Sequence, residues 1–96
     1  MSFSIFLNDV EYVAKKPKAK IYKKLMKLQR GKDTFTIDNE ETLDQVYELL
    51  ADAIGHPEVT PERIQEELDA DQLLPCIEQA VAWIHGVFNS VDLGER

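Results

Sequence analysis

A single cysteine, Cys76, occurs in the 96 residues, so no disulfide can close within the chain. A lone thiol without an export signal points to a reducing compartment. The opening stretch MSFSIFLNDVEY has no basic segment and no small-residue cleavage site, so no signal peptide is expected. No apolar run approaches the ~20 residues that a membrane span needs, which argues against a membrane role. The four glycines gather into no phosphate-cradling loop. Repeats, low-complexity segments and interdomain linkers are also missing, so one domain spanning 1–96 is expected.

What is present is charge, and it is unevenly placed. Residues 15–32 carry nine basic side chains and no acidic one, whereas residues 33–96 carry sixteen acidic and two basic ones, for a net charge of −7. The acidic balance argues against nucleic acid as a partner for the chain as a whole. A strongly dipolar chain is left.

The patterning predicts an α+β fold, mostly helical: an N-terminal β-hairpin over 2–14 followed by four α-helices at about 17–30, 39–54, 61–68 and 71–90. Phe3, Ile5 and Leu7 alternate with Ser2, Ser4 and Phe6, the period of a strand. Asn8-Asp9 then supplies the positive φ of a two-residue turn. Pro17 suits a first helical turn and Gly31 a left-handed helix end. Asp38 with Glu41 fits a capping box. Leu43, Val46, Tyr47, Leu50 and Ile54 make an amphipathic stripe that ends at Gly55-His56-Pro57. Thr60 caps the next helix with Pro61 behind it, and Val59 and Ile64 stand at staple spacing. Asp71 is the expected cap of the last helix, with Pro75 in its first turn. There, Leu73, Ile77, Val81, Ile84, Phe88 and Val91 form one apolar stripe, and Cys76, Ala80, Trp83 and Val87 a second beside it. Together they are wider than a surface helix needs. Such a helix is either central to the core or shared with another chain.

Chemistry-bearing constellations are scarce. His56, His85 and Cys76 have no metal-ligand spacing. On a straight helix Cys76 and His85 stand about 13.5 Å apart along the axis, too far to share an ion. The carboxylates sit at helix starts and on solvent faces, where capping and solubility explain them. Neither a catalytic residue, a cofactor nor a metal is expected, and the chain reads as a binding protein rather than an enzyme. Two candidate partner-binding surfaces stand out. One is the basic face of Lys16, Lys20, Lys23, Lys24, Lys27 and Arg30; the other is the shoulder of Cys76, Trp83 and Val87 on the last helix. Three uses of the basic face stay open: a solvated surface, docking on an acidic protein surface that includes the acidic half of a second copy, or contact with nucleic-acid phosphates. The third is weakened by the lack of an arginine cluster for base edges.

The order of these segments matters. LNDVEY leads into the basic KPKAKIYKKLMKL, then LDQVYELLADAIGHPEVT, then PERIQEELDADQLLPCIEQAVAWI. The succession resembles the small tail assembly chaperones of long-tailed bacteriophages, especially those of Gram-positive hosts. The likeness lies in the Tyr22-Lys23-Lys24-Leu25-Met26 helix, in Gly55 before Val59-Thr60, and in the stretch from Leu68-Asp69 to Leu74-Pro75. It covers residues 5–84. The resemblance implies a non-enzymatic chaperone that binds the tape measure protein, keeps it soluble and helps tail tube subunits polymerise around it. It implies action in the host bacterial cytoplasm, absence from the mature virion, and no active-site residues to carry over. A homo-oligomer, built by basic helix on acidic half, is compatible with the charge pattern. Two alternatives from other classes remain: a small DNA-binding regulator using helix 17–30, and a structural head–tail or tail component retained in the virion.

Overall fold

The structure, a computed structural model, describes residues 3–29 and 37–89. A two-stranded antiparallel hairpin, β1 (Ser4–Leu7) and β2 (Val10–Val13), precedes four helices: α1 (Ala19–Gln29), α2 (Glu40–Ile54), α3 (Pro61–Glu67) and α4 (Ala70–Asn89). The α+β, mostly helical architecture is the one the patterning predicts.

The hairpin follows from its turn. Asn8 and Asp9 take φ of 50° and 65°, the left-handed pair that a two-residue turn requires and that short polar side chains tolerate. The register pairs Leu7 with Val10, Phe6 with Glu11, Ile5 with Tyr12 and Ser4 with Val13. Side chains alternate as expected. Phe3, Ile5 and Leu7 are buried in the core, while Phe6 is 58% exposed on the other face. Each core side chain of this size contributes about 2 kcal/mol relative to exposure. An isolated hairpin is marginal in water, and this one is stabilised by lying on the helices.

Helix starts shift from the predicted positions. α1 begins at Ala19, so Pro17 lies in the connection before it rather than in its first turn. The Ile21 N–H reaches the Lys18 carbonyl at 3.0 Å, which closes the first turn after the proline. Gly31, the expected helix end, lies outside the described residues. The cap of α2 is Asn39, not Asp38: extended Asn39 accepts from the Thr42 N–H at 2.8 Å, and its own amide donates to Asp38 at 3.0 Å. Both residue types cap well. Within α2, Thr42, Val46, Leu49 and Leu50 turn inward, and Leu43 and Tyr47 lie on the shoulder, half-buried. Thr60 caps α3 as expected, accepting from the Arg63 N–H at 3.1 Å, with Pro61 in the first turn and Val59 and Ile64 buried together.

α4 starts at Ala70, with Gln72 N–H bonded to the Asp69 carbonyl at 2.9 Å, so Asp71 lies inside the first turn rather than capping it. Pro75 consequently falls in the second turn. It removes the bond that would reach the Asp71 carbonyl. Both residues are exposed, so water can take the freed carbonyl.

The core gathers Ile21, Leu25 and Leu28 of α1, Val46 to Ile54 of α2, Ile64 of α3, and Ile77, Ala80, Trp83 and Ile84 of α4 beneath the hairpin. Trp83 meets Phe3 with ring centroids 5.7 Å apart at 35°. Part of the breadth of the apolar surface on α4 has its explanation here: residues of both stripes, Ile77 and Ile84 of one and Cys76, Ala80 and Trp83 of the other, join the core, and Trp83 lies against Phe3 before the hairpin.

Candidate functional site

α1 is the element that organises charge. Its apolar residues Ile21, Leu25 and Leu28 face the core, which forces its lysines outward. Lys20, Lys23, Lys24 and Lys27 fall within about 100° of arc at 100° per residue. They do not behave alike. Lys24 bends toward α2 and pairs with Asp52, with Glu48 at 3.9 Å. Lys20, Lys23 and Lys27 are exposed and make no ion pair among the described residues. Met26, beside them, is 55% exposed. Lys16 is exposed but sits in the connection before α1, off the helix, and Arg30 lies outside the described residues.

The other predicted surface is differently placed. Cys76 and Trp83 are packed inside the chain, and Val87 is half-buried against the core. In the folded chain Cys76 and Trp83 are therefore interior, with Cys76 lining a groove beside β1, while Val87 keeps part of its surface open. Burial pushes the Cys76 thiol up to about 11, so it is uncharged at neutral pH. The two histidines have structural partners. His56 contacts the Tyr12 ring at 5.7 Å and the Val13 carbonyl at 2.9 Å, and His85 meets the Tyr22 ring edge-on at 6.2 Å. Among the described residues no three His, Cys, Asp or Glu side chains are grouped to hold a metal ion. No described helix is long and apolar enough to cross a membrane.

Two features escaped the sequence reading. The first is a polar seam joining α3 to the hairpin. Arg63 grips Glu67 with two nitrogens at 2.7 and 2.9 Å, donates to the Glu58 carbonyl at 2.8 Å, and stands over the Tyr12 ring. Asn8 at the hairpin turn donates to Glu67 at 2.8 Å. The Arg63 bond holds the Glu67 carboxyl below the usual carboxylate range and raises the guanidinium further. The i,i+4 spacing of Arg63 and Glu67 was the available signal. The second is a groove of about 420 Å³ between β1 and the start of α4. Ser4, Ile5 and Phe6 form one wall, and Leu68, Pro75 and Cys76 stand opposite.

A small helical chain thus presents lysines on one helix, an acidic neighbour beside it, and a groove along a strand. Compared with known families, residues 5–94 match the model of a family described as phage tail chaperone protein. The chain belongs to that family. No curated protein and no solved structure gives a significant match. The match begins at Ile5 in β1 and runs past α4, so all of the hairpin's strands but Ser4, and all four helices of the tail chaperone, fall inside it.

Proposed function

We propose that this tail chaperone binds the tape measure protein of its phage, keeps it soluble and promotes tail tube assembly, without catalysis. The observation that carries the reading, beyond family membership, is the row Lys20, Lys23 and Lys27 beside exposed Met26 on α1. These lysines have no acidic partner within the described chain, while Lys24 next to them does. Such a face suits an acidic, partly apolar helical surface on a client, met by steered and salt-sensitive association. A long apolar client exposes aggregation-prone surface before assembly. The −7 net charge supplies solubility to the complex. The site of action on this reading is the host cytoplasm, with release before the virion is complete.

Co-purification with the tape measure and tail tube proteins of the same genome tests the proposal. Capture at low salt is expected, falling about tenfold when Lys20, Lys23 and Lys27 are all replaced by Gln. Failure to capture either protein at low salt, or recovery of the chain from purified virions, overturns it. Duplex DNA serves as the control: sequence-selective binding through the same lysines would support a regulator instead.

A further inference from the structure

The two edges of the hairpin are not equivalent. The Ala14 N–H donates to the Phe3 carbonyl at 2.8 Å, which makes Phe3 and Ala14 a hydrogen-bonded pair. In an antiparallel ladder such pairs recur every second residue. Ile5 with Tyr12 and Leu7 with Val10 therefore also bond inward, and the amides of Ser4 and Phe6 on β1, and of Glu11 and Val13 on β2, point away from the ladder. On β2 that outer edge is partly closed. His56 takes the Val13 carbonyl at 2.9 Å, and Lys15 N–H bonds the Ile54 carbonyl at 3.1 Å, tying the strand's exit to the end of α2. On β1, no described residue bonds the backbone of Ser4 or Phe6.

An open strand edge is a template for another strand, and proteins commonly blunt it with lysine, proline, a bulge or a covering element. The β1 sequence Ser4-Ile5-Phe6-Leu7 contains none of the blunting residues, and what lies beside it is the groove rather than a cover. We propose that this edge receives an extended segment of the client chain as a third strand, seated between β1 and α4. The inference rests on the reading of the protein as a client-binding chaperone and adds the site and the conformation of the client. The groove states the chemistry of its occupant. Its lining is mixed: Phe6, Leu68 and Pro75 offer apolar contact to every second side chain of an extended segment, and Ser4, Gln72 and Gln79 offer polar contact to those between. Asp9 and Asp69 contribute two carboxylates to the lining, no cation lines it, and neither carboxylate has an ion pair among the described residues. The occupant is therefore an alternating apolar segment that carries a lysine or arginine. A ladder anchored on only Ser4 and Phe6 is short, so the grip is reversible, as suits a chaperone that must let go.

The test uses the full chain and the tape measure protein of the same genome. Ser4→Pro deletes an outward N–H and no ladder bond, a position where an edge strand accepts proline. Ser4→Ala keeps that N–H and loses only the hydroxyl that bonds Glu11 at 2.9 Å. With both variants folded by circular dichroism, capture should fall about tenfold for Ser4→Pro and stay near wild type for Ser4→Ala. Independently, amide hydrogen exchange at Ser4 and Phe6 should be fast in the free protein and slow in the complex, a readout that needs no variant. Capture by the wild type with unchanged exchange at both amides overturns this inference and leaves the client reading standing. No capture by the wild type overturns both. Concentration-dependent protection of Ser4 and Phe6 without client assigns the edge to a second copy and overturns the inference as well.

Discussion

His56 donates from Nε2 to the Val13 carbonyl across 2.9 Å, joining the loop after α2 to the outer edge of β2. A carbonyl can only accept, so the bond requires the proton on Nε2. The same ring sits edge-on to Tyr12. The loop after α2 therefore partly covers the β2 side of the sheet, and the β1 side keeps its open edge.

His56→Ala should uncover the Val13 carbonyl and remove the ring contact. The expected loss is about 1 kcal/mol, the usual net worth of such a bond. In a domain of this size that lowers the melting temperature by about 4–8 °C. Urea and thermal unfolding measure both, and an unchanged midpoint would show that the bond contributes nothing.

Glu67 gives stability a pH dependence. Its carboxyl is held below its ordinary value of 4.5, first by the Arg63 hydrogen bond. The stabilisation is therefore fully present above pH 4.5 and lost as pH falls through the lower, folded value. Glu67→Gln should be less stable than wild type at neutral pH and should converge with it in strong acid. Urea midpoints at about pH 7, 5 and 3 check this. A gap that persists undiminished at the lowest pH would mean that the charge on Glu67 is not the source.

These elements also show what the chain disclosed before its structure was known. Alternation at Phe3, Ile5 and Leu7 and the Asn8-Asp9 turn were legible because a strand's period and a positive-φ turn are local. Thr60 with Pro61 was legible for the same reason. The cap at Asn39 was missed by one residue because two good capping residues, Asp38 and Asn39, stand side by side and their types do not choose between them. Asp71 and Pro75 were misplaced in the same way. The breadth of the α4 stripe was visible, but its use was not: whether Trp83 meets Phe3 or another chain depends on tertiary packing. The lysines of α1 could be grouped by period, yet only the structure separates Lys24, which is paired with Asp52, from Lys20, Lys23 and Lys27. The open edge of β1 needed the register of the hairpin and the position of α4 together.

Gly55 ends α2 at φ 74° and ψ 15°, with its N–H on the Ala51 carbonyl at 3.0 Å. A Cβ there would meet Lys15 Cβ at 3.6 Å, an ordinary contact, so space does not dictate glycine. The left-handed backbone does, at a cost of about 1 kcal/mol for an ordinary side chain. Gly55→Ala should lose about that much, and Gly55→Asn less, because asparagine tolerates this region. Equal losses for the two variants would point to the contact with Lys15 instead.

Cys76 and Trp83 decide whether the shoulder of α4 is interior in solution. Trp83 is 5% exposed and packs on Phe3, so Trp83→Ala should cost about 3–5 kcal/mol, the range for emptying an aromatic core site. The thiol gives a second, independent reading. With its pKa pushed from 9.0 to about 11 by burial, the thiolate fraction at neutral pH is about a hundredfold below that of an exposed cysteine. Iodoacetamide should therefore react with the native chain at least about a hundredfold more slowly than with the urea-unfolded chain at the same pH. In Trp83→Ala the native rate should rise, because the loss of the Phe3–Trp83 contact loosens the hairpin on the face of α4 that Cys76 shares two turns away. A native rate equal to the unfolded one would mean that the shoulder opens freely, and it would return Cys76 and Trp83 to the surface on which a partner could dock.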